Sequence, residues 1–312
     1  MTFFQRFISV FIFVTFYASA SLACEICTIP RLGKQKAVTK SDPWFAEYYF
    51  ELQDWKEIDP HAAHELHHDG HHVHDKTKEY IHHVSLGGKL GEDVTMIADL
   101  PYVIRKSLEI HEHDMVGTEL QSEGLGDLHV MGMYRFWEPG KDQAVSALGG
   151  IKFPTGVTDE ETPSGELFEP ELQPGSGSFD YLLGALYKGR MAHSEISTNL
   201  IYVFKTEGDQ DYEFGDTLIT SVLWQYLLPY KKNVLVRLGV DGSLQYEQKH
   251  EDHGETINDS GGVTLLLGPV LGVEINEQVS IFGSVHFPAV QNLGGKHQEI
   301  DSVSMAGIKL SW

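Results

Sequence analysis

Histidines are concentrated in one short stretch of this 312-residue chain. Nine of the 17 histidines lie between His61 and His83, with acidic side chains such as Glu65 and Asp69 among them. Neutral imidazole is the commonest protein ligand for zinc, copper and nickel, and nearby carboxylates raise the local cation concentration. The tract therefore predicts metal binding, although a solvated low-complexity loop with incidental metal affinity has the same composition. The predicted ligands are His61, His64, His67, His68, His71, His72 and His74.

Further histidines and carboxylates fall in other stretches predicted to be loops on the same side. His111 and His113, and also His250 and His253, are predicted to extend the metal site. The acidic stretch 156–178 carries six carboxylates and no lysine or arginine. We expect an electronegative, imidazole-rich face that gathers divalent cations and releases them when the histidines are protonated near pH 6.

The only two cysteines, Cys24 and Cys27, form a Cys-x-x-Cys motif. Four interpretations stay open: a disulfide, a soft-metal site, lipidation of Cys24, or incidental residues. Haem attachment is disfavoured because Thr28 stands where that motif needs histidine. Export to an oxidising compartment favours the disulfide, with metal binding by both thiolates second.

The N-terminus predicts export. Arg6 precedes an apolar run over residues 7–20 with small-residue cleavage sites, so residues 1–23 are predicted to be a signal peptide. Residues 24–43 would follow as a periplasmic segment or small plug. No later stretch reaches the ~20 apolar residues of a spanning helix, so a membrane form must be a barrel. The net charge of −22 disfavours nucleic-acid partners.

From residue 44 to residue 312 the sequence alternates between apolar and polar residues, in segments separated by alternately short and long connections. This regularity predicts an all-β, antiparallel outer-membrane barrel of about 12 strands, with short periplasmic turns and long external loops. Residues 56–79 form its His-rich first loop. The last strand ends in an aromatic residue, and we expect it to contact the barrel assembly machinery; an amphipathic strand of a soluble sheet has a similar pattern. The predicted strands are 44–52, 80–90, 94–110, 124–137, 144–155, 179–188, 193–206, 213–228, 234–249, 262–275, 279–290 and 299–312.

Alternation also predicts which side chains face the lumen, since neighbouring residues of a strand point to opposite faces. A one-residue slip would reverse the prediction. Charges of both signs facing one another would brace a narrow lumen. The lumen candidates are Glu47, Glu51, Asp99, Arg105, His129, Arg135, Lys152, Lys205, Arg237, Asp241 and His286.

Several short motifs resemble a known family. They include Gly124–Leu128, Met133–Phe136, Asp99–Val103 and Gly150–Gly156. With Gly175–Ser178 leading into Phe179, these segments resemble the outer-membrane transporters of the phenol-degradation (MetA-pathway) family, similar in outline to fatty-acid-channel barrels. The resemblance implies a barrel that passes small, often hydrophobic solutes without energy coupling. The His-rich tract and the cysteine pair depart from that pattern.

The chain is predicted to be a channel rather than an enzyme, because it contains no phosphate-binding glycine loop, nucleophile elbow or His-Glu-x-x-His motif. The leading hypothesis is an outer-membrane channel that captures or passes zinc, copper or nickel through the external mouth. The alternatives are passive diffusion of hydrophobic or aromatic compounds, and a surface metal-binding protein anchored by the barrel. No cofactor is required; the expected partners are outer-membrane lipid and the solute or metal ion.

Overall fold

A computed structural model describes residues 44–58, 73–110, 117–276, 278–294 and 298–312. The described chain consists of strands and connections, with two short 3-10 turns at Pro170–Leu172 and Asp209–Asp211. None of the helices in these described ranges is long and apolar enough to cross a bilayer. The strands are β1 (Trp44–Trp55), β2 (Val73–Lys89), β3 (Val94–Ile110), β4 (Gly117–Leu125), β5 (Leu128–Gly140), β6 (Gln143–Phe153), β7 (Asp180–Met191), β8 (Ser194–Phe204), β9 (Tyr212–Glu213), β10 (Thr217–Lys231), β11 (Val234–Glu247), β12 (Glu251–Asp252), β13 (Glu255–Thr256), β14 (Gly262–Ile275), β15 (Val279–Leu293) and β16 (Ile300–Ser311).

Thirteen of these strands form one closed antiparallel barrel with 12 positions in its wall. Each wall strand pairs with its neighbours in sequence, and β1 pairs with β16 to close the sheet. The segments β4 and β5 share one position, because β3 pairs with β4 along its external half and with β5 along its periplasmic half. The predicted 12-stranded antiparallel barrel is confirmed. The remaining strands, β9, β12 and β13, form a small separate sheet in the external loops.

Two wall strands extend further toward the exterior than the sequence predicts. β2 begins at Val73 rather than residue 80, and β4 begins at Gly117 rather than residue 124. Both extensions are polar and pair with the external half of β3. Outside the lipid a strand gains nothing from an apolar outer face, so the alternation that marks the membrane section fades there. A break at Gly126 and Asp127 then separates β4 from β5.

The two faces of the wall differ as a membrane barrel requires. Large apolar side chains such as Leu86, Leu183 and Val240 are exposed on the outside. Exposed aromatic residues lie near the periplasmic ends of the strands, as in the aromatic girdles of outer-membrane barrels. They include Trp44, Phe136, Trp137, Tyr230 and Trp312.

Inward-facing apolar residues fill one side of the barrel interior. This apolar cluster, from β1, β3, β5–β8 and β10, packs large residues against inward glycines. A Cβ on Gly87 would lie 2.3 Å from the Phe45 ring, and one on Gly150 would lie 2.7 Å from Cγ of Met131. Large and small residues therefore alternate around the wall and close this side. The cluster comprises Phe45, Ile97, Met131, Leu148, Leu182, Leu186, Ile201, Val203 and Ile219.

Candidate functional site

The third loop, residues 154–179, folds across one side of the external barrel end. Gln173 holds its two limbs together: the side-chain amide donates to the carbonyls of Glu160 and Phe168 at 3.0 and 3.1 Å. The Gln173 side-chain oxygen accepts from the Glu160 amide at 3.1 Å. Phe168 and Gln173 are both buried. The loop is thus a packed lid with its own small interior.

The wall anchors this lid from below. Arg105 on β3 donates from Nη1 to the Glu171 carbonyl at 2.6 Å, while its Nε donates to Glu79 of β2 at 2.6 Å. Ser122 on β4 donates to the Leu172 carbonyl at 2.6 Å. The 3-10 turn Pro170–Leu172 is therefore held against the β2–β4 side of the barrel.

Asp127, in the break between β4 and β5, ties both ends of the lid to the wall. Its Oδ1 accepts hydrogen bonds from the amides of Thr155 and Gly156 at 3.0 and 2.8 Å. Its Oδ2 accepts from the amide and the hydroxyl of Ser176 at 2.9 and 2.7 Å. One carboxylate therefore accepts four hydrogen bonds, and the interruption of the strand is what brings it beneath the loop.

A buried group of four charges lies beside this anchor. Lys152 on β6 is 1% exposed, and its Nζ lies 2.8 Å from Asp180 and 3.4 Å from Asp127. Lys205 reaches the same Asp180 carboxylate at 3.1 Å. Two cations and two anions compensate one another, which is the arrangement that makes buried charge tolerable.

The fourth loop, residues 205–216, and the fifth loop, residues 248–261, complete the cap. β12 of the fifth loop pairs with β9 of the fourth. His250, fully buried, lies with Nδ1 3.4 Å from Glu171 and Nε2 3.3 Å from Glu247. Tyr212 donates to Glu171 at 2.6 Å and lies 2.7 Å from His250 Nδ1.

Burial and charge act in opposite directions on His250. Burial alone would lower its pKa, but hydrogen bonds and attraction from Glu171 and Glu247 outweigh burial and raise the pKa to about 9. A protonated imidazole donates from both ring nitrogens, which suits the acceptors on either side. The third, fourth and fifth loops are thereby joined through one buried cation.

Below the cap, an inclined polar belt crosses the interior. Its members stand directly opposite one another on successive neighbouring strands, from β16 through β1 to β7, and all are buried. The belt rises from near the periplasmic end of β1 to the external end of β7, as the strand tilt of a barrel requires. Positive and negative side chains are interspersed along it. The belt comprises Lys309, Glu47, Ser85, Asp99, His129, Lys152 and Asp180.

Asp99 of the belt binds a histidine outside it, His83, which lies one inward position further toward the exterior on β2, beneath the lid. His83 lies with Nδ1 3.0 Å from Asp99, and its ring stacks on Tyr49 with centroids 4.2 Å apart. Ser85 also donates to Asp99. The neighbouring cavity measures about 40 Å³ and is closed above by Pro170–Pro174, so it has room only for water.

On the other side of the barrel, the described residues leave space along its length. A cavity of about 680 Å³ extends from the periplasmic turns to the external ends of β1, β15 and β16. At the external end one part of its wall is an apolar group, Trp55, Ile300 and Val303, with Leu266 and Met305 packed against it.

Polar residues cross the middle of this cavity as compensated pairs. On β11, Arg237 donates from Nε to Glu274 of β14 at 2.7 Å and from Nη1 to Glu195 of β8. Two positions further toward the exterior on the same face, Asp241 accepts from Nε2 of His286 at 3.0 Å. The charges in the middle of the cavity are therefore already paired.

Residues 80–292 match the sequence model of the family described as "Putative MetA-pathway of phenol degradation", which covers more than half of the chain. The chain belongs to this family. No protein of curated function matches it in sequence.

Solved structures similar to this MetA-pathway barrel are outer-membrane barrels. An outer membrane channel from Pseudomonas putida F1 is 12% identical, with a TM-score of 0.59 over 87% of this chain and 96% of that one. A Pseudomonas aeruginosa FadL homologue is 8% identical, with a TM-score of 0.41 over 87% and 90%. The β domain of the Bordetella autotransporter BrkA is 8% identical, with a TM-score of 0.47 over 86% and 99%. The fold and the family together place the chain in the bacterial outer membrane.

The predicted lumen residues of the MetA-pathway barrel all lie inside or at the rim. Glu47, Asp99, His129 and Lys152 belong to the polar belt. Glu51 is buried two inward positions beyond Glu47 on β1, toward the exterior, and accepts a hydrogen bond from Gln53 at 2.8 Å. Arg135 lies at the periplasmic end, where it binds Asp93 at 2.8 Å and Glu138 at 3.1 Å. Arg105 and Lys205 hold the cap, while Arg237, Asp241 and His286 line the open cavity.

The predicted metal ligands are dispersed where the structure describes them. His250 is buried between carboxylates in the cap, whereas His253 is exposed and lies 2.7 Å from Asp252. Among the described residues, no three histidine, cysteine, aspartate or glutamate side chains are grouped to hold a metal ion. His74 lies on β2, where only the backbone is described. Outside the described residues lie the predicted signal peptide, the Cys24–Cys27 segment, and the histidines His61, His64, His67, His68, His71, His72, His111 and His113.

Several central residues were not singled out from sequence. Asp127 and Ser176 lie in a strand break and a loop, where alternation gives no direction. Alternation could have identified three others as inward-facing, because they lie on the inward face of their strands: Glu195, Glu274 and Lys309. Parity alone does not reveal which of the inward residues meet.

Proposed function

We propose that this barrel is a passive outer-membrane channel for small apolar and aromatic solutes. The observation that carries the proposal is the cavity of about 680 Å³ along the β10–β16 side, with the Trp55, Ile300 and Val303 surface at its external end. Its size lies in the range of small-molecule sites, which are mostly apolar with few polar groups. The description of the family, which refers to phenol degradation, agrees with this solute class.

The charges inside the cavity support a neutral solute. Arg237 is bound by Glu195 and Glu274, and Asp241 is bound to His286. Opposite charges in contact cancel much of each other's field, so these pairs give the middle of the cavity little net attraction for an ion. The sequence-based hypothesis of transition-metal passage has no comparable support in the described lumen, where no metal-ligand group converges.

The lid explains how the barrel stays narrow. The third loop and the apolar cluster fill the β2–β8 side, so within the described part of the chain the path lies on the remaining side. A path that is narrow and partly apolar excludes large hydrated solutes. Such a solute would lose its bound water there without gaining equivalent hydrogen bonds from the wall.

The test is solute uptake by a Gram-negative host that expresses the chain in its outer membrane. We expect faster initial uptake of toluene than in cells without the chain, and unchanged uptake of arabinose and zinc. Ser243, which lines the cavity on β11, provides the blocking variant Ser243→Trp. Val240→Trp, on the exposed outer face of the same strand, is the matched control.

Ser243→Trp should reduce toluene uptake to the host background, whereas Val240→Trp should leave it unchanged. Heat-modifiable migration on gels would confirm that both variants are folded barrels. Toluene uptake at the background rate in cells with the unchanged chain, or faster zinc uptake in its place, would refute the proposal.

A further inference from the structure

Two aspartate-bound histidines face the barrel interior, and they differ in what surrounds them. His83, bound to Asp99, borders the closed space of about 40 Å³ beneath the lid. His286, bound to Asp241, lines the open cavity of about 680 Å³. Only the second pair has room beside it for a solute.

The backbone between Asp241 and His286 brings them together. Asp241 on β11 stands opposite Gly268 on β14, and His286 lies on β15, the next strand. A Cβ on Gly268 would lie 1.8 Å from the Val285 carbonyl oxygen and 2.7 Å from Cα of His286. The glycine therefore permits the close approach by which two side chains bond at 3.0 Å across an intervening strand.

The hydrogen bond defines the role of each ring nitrogen. A carboxylate only accepts, so Nε2 of His286 donates to Asp241, and Nδ1 of the neutral ring then carries a lone pair. This Nδ1 is buried and has no hydrogen-bond partner among the described residues. A buried acceptor without a donor favours any ligand that supplies one.

On the side of β16, the surface around the ring is apolar. His286 stands directly opposite Val303 on β16, a member of the group formed with Trp55 and Ile300. Leu266 and Met305 pack against that group. An oriented acceptor beside an apolar and aromatic surface is complementary to an aromatic ring that carries a hydroxyl group.

We propose that His286, oriented by Asp241, is a binding site in the channel for hydroxylated aromatic solutes, whose O–H donates to Nδ1. This inference rests on the proposed function and narrows its solute class. Asp241 acts as a positioning residue, because it fixes the tautomer and does not itself contact the solute. The site would make the channel prefer a phenolic solute to its hydrocarbon analogue.

The test compares p-cresol with toluene, which differ only by the hydroxyl group. Binding to the folded, detergent-solubilised full barrel would be measured by equilibrium dialysis. We expect p-cresol to bind about tenfold more tightly than toluene, the effect of one neutral hydrogen bond. His286→Phe should abolish this preference, so that p-cresol binds no more tightly than toluene.

His286→Gln is the rescue variant, because its amide can donate to Asp241 while its oxygen accepts from the solute. It should retain most of the preference for p-cresol. His83→Phe removes the other aspartate-bound imidazole, away from the cavity, and should keep the full preference.

A spectroscopic measurement tests the unmodified chain. In protein labelled with 15N-histidine, p-cresol should shift the Nδ1 resonance of His286, assigned by its loss in His286→Gln, whereas toluene should not. Equal affinities for the two solutes, a preference that survives His286→Phe, or an unmoved Nδ1 resonance would overturn the inference while leaving the channel proposal intact. Absence of binding and of uptake for both solutes would overturn both.

Discussion

Nδ1 of His250 lies 3.4 Å from the carboxylate of Glu171, and this contact joins the fifth external loop to the third. The pKa of His250 is raised to about 9 in the folded barrel, against an ordinary value of 6.5. A raised histidine pKa contributes stability that is complete below about pH 6.5 and is lost as the pH rises through about 9. The closed cap should therefore weaken in alkaline solution.

Hydrogen exchange of the amides in residues 160–173 would measure this weakening between pH 6 and pH 10, after correction for intrinsic exchange. We expect protection to fall through this range, and His250→Gln to remove most of the pH dependence. His253→Gln is the control, because His253 is exposed and bound only to acids of the fourth and fifth loops. Wild-type protection that stays constant up to pH 10 would contradict the assignment.

Asp127→Asn should destabilise the barrel strongly. The change removes one of the two anions around Lys152 and places an amide group against donors that need an acceptor. Breaking a buried ion pair from one side costs about 3–5 kcal/mol. Urea unfolding in micelles, followed by tryptophan fluorescence, would measure it. The control Glu255→Gln alters an exposed carboxylate of the fifth loop and should have little effect; equal midpoints would refute the role of Asp127.

Removing the lid anchor should open the pore more often. In Arg105→Ala combined with Glu79→Gln, the buried pair is removed together, and the carbonyls of Glu171 and Gln173 lose their donor. The loss of about 2 kcal/mol shifts the open-to-closed ratio of the loop about 30-fold. Single-channel recording in planar bilayers should show larger and more frequent openings. Arg135→Ala, at the periplasmic end, should leave them unchanged, and unaltered openings in the double variant would exclude the lid as the barrier.

Gly268→Ala should prevent correct closure of the barrel. The added Cβ meets backbone atoms rather than a flexible side chain, with Val285 O at 1.8 Å. Overpacking typically costs about 1–3 kcal/mol, and a collision with backbone atoms that cannot shift costs more. Heat-modifiable migration on gels should be lost. Gly91→Ala, with nothing within 4 Å of the new Cβ, should fold normally; normal folding of both variants would contradict the prediction.

Metal binding by the His-rich tract stays a prediction from sequence. We expect zinc, copper or nickel to bind saturably to the full chain in calorimetric titration, and a variant without residues 59–72 to lose this binding. The deletion should not change toluene uptake, because the cavity is lined by residues outside that tract. Equal, weak binding by both proteins would show that the tract contains no specific metal site.

Alternation predicted the number, direction and inward faces of the strands, because lipid outside and a filled lumen inside impose opposite demands on successive residues. It did not predict that β2 begins at Val73, since a strand beyond the membrane has no apolar face. It placed Arg237, Asp241 and His286 inside but did not single out Glu274. It also did not predict which of these residues pair, because pairing depends on the register of the strands. His250 was expected at an open metal-binding mouth, and the cap buries it instead.

The polar belt also bears on how the chain enters the membrane. Lys309 on the last strand stands opposite Glu47 on the first, so these two residues meet only when β1 pairs with β16 and the barrel closes. A slip of one residue in any seam would turn a row of charges outward into hydrocarbon, at a cost of about 2–4 kcal/mol for a basic side chain at the bilayer midplane. We therefore expect the belt to favour the correct strand register during assembly, because a barrel with a shifted register is less stable in the bilayer.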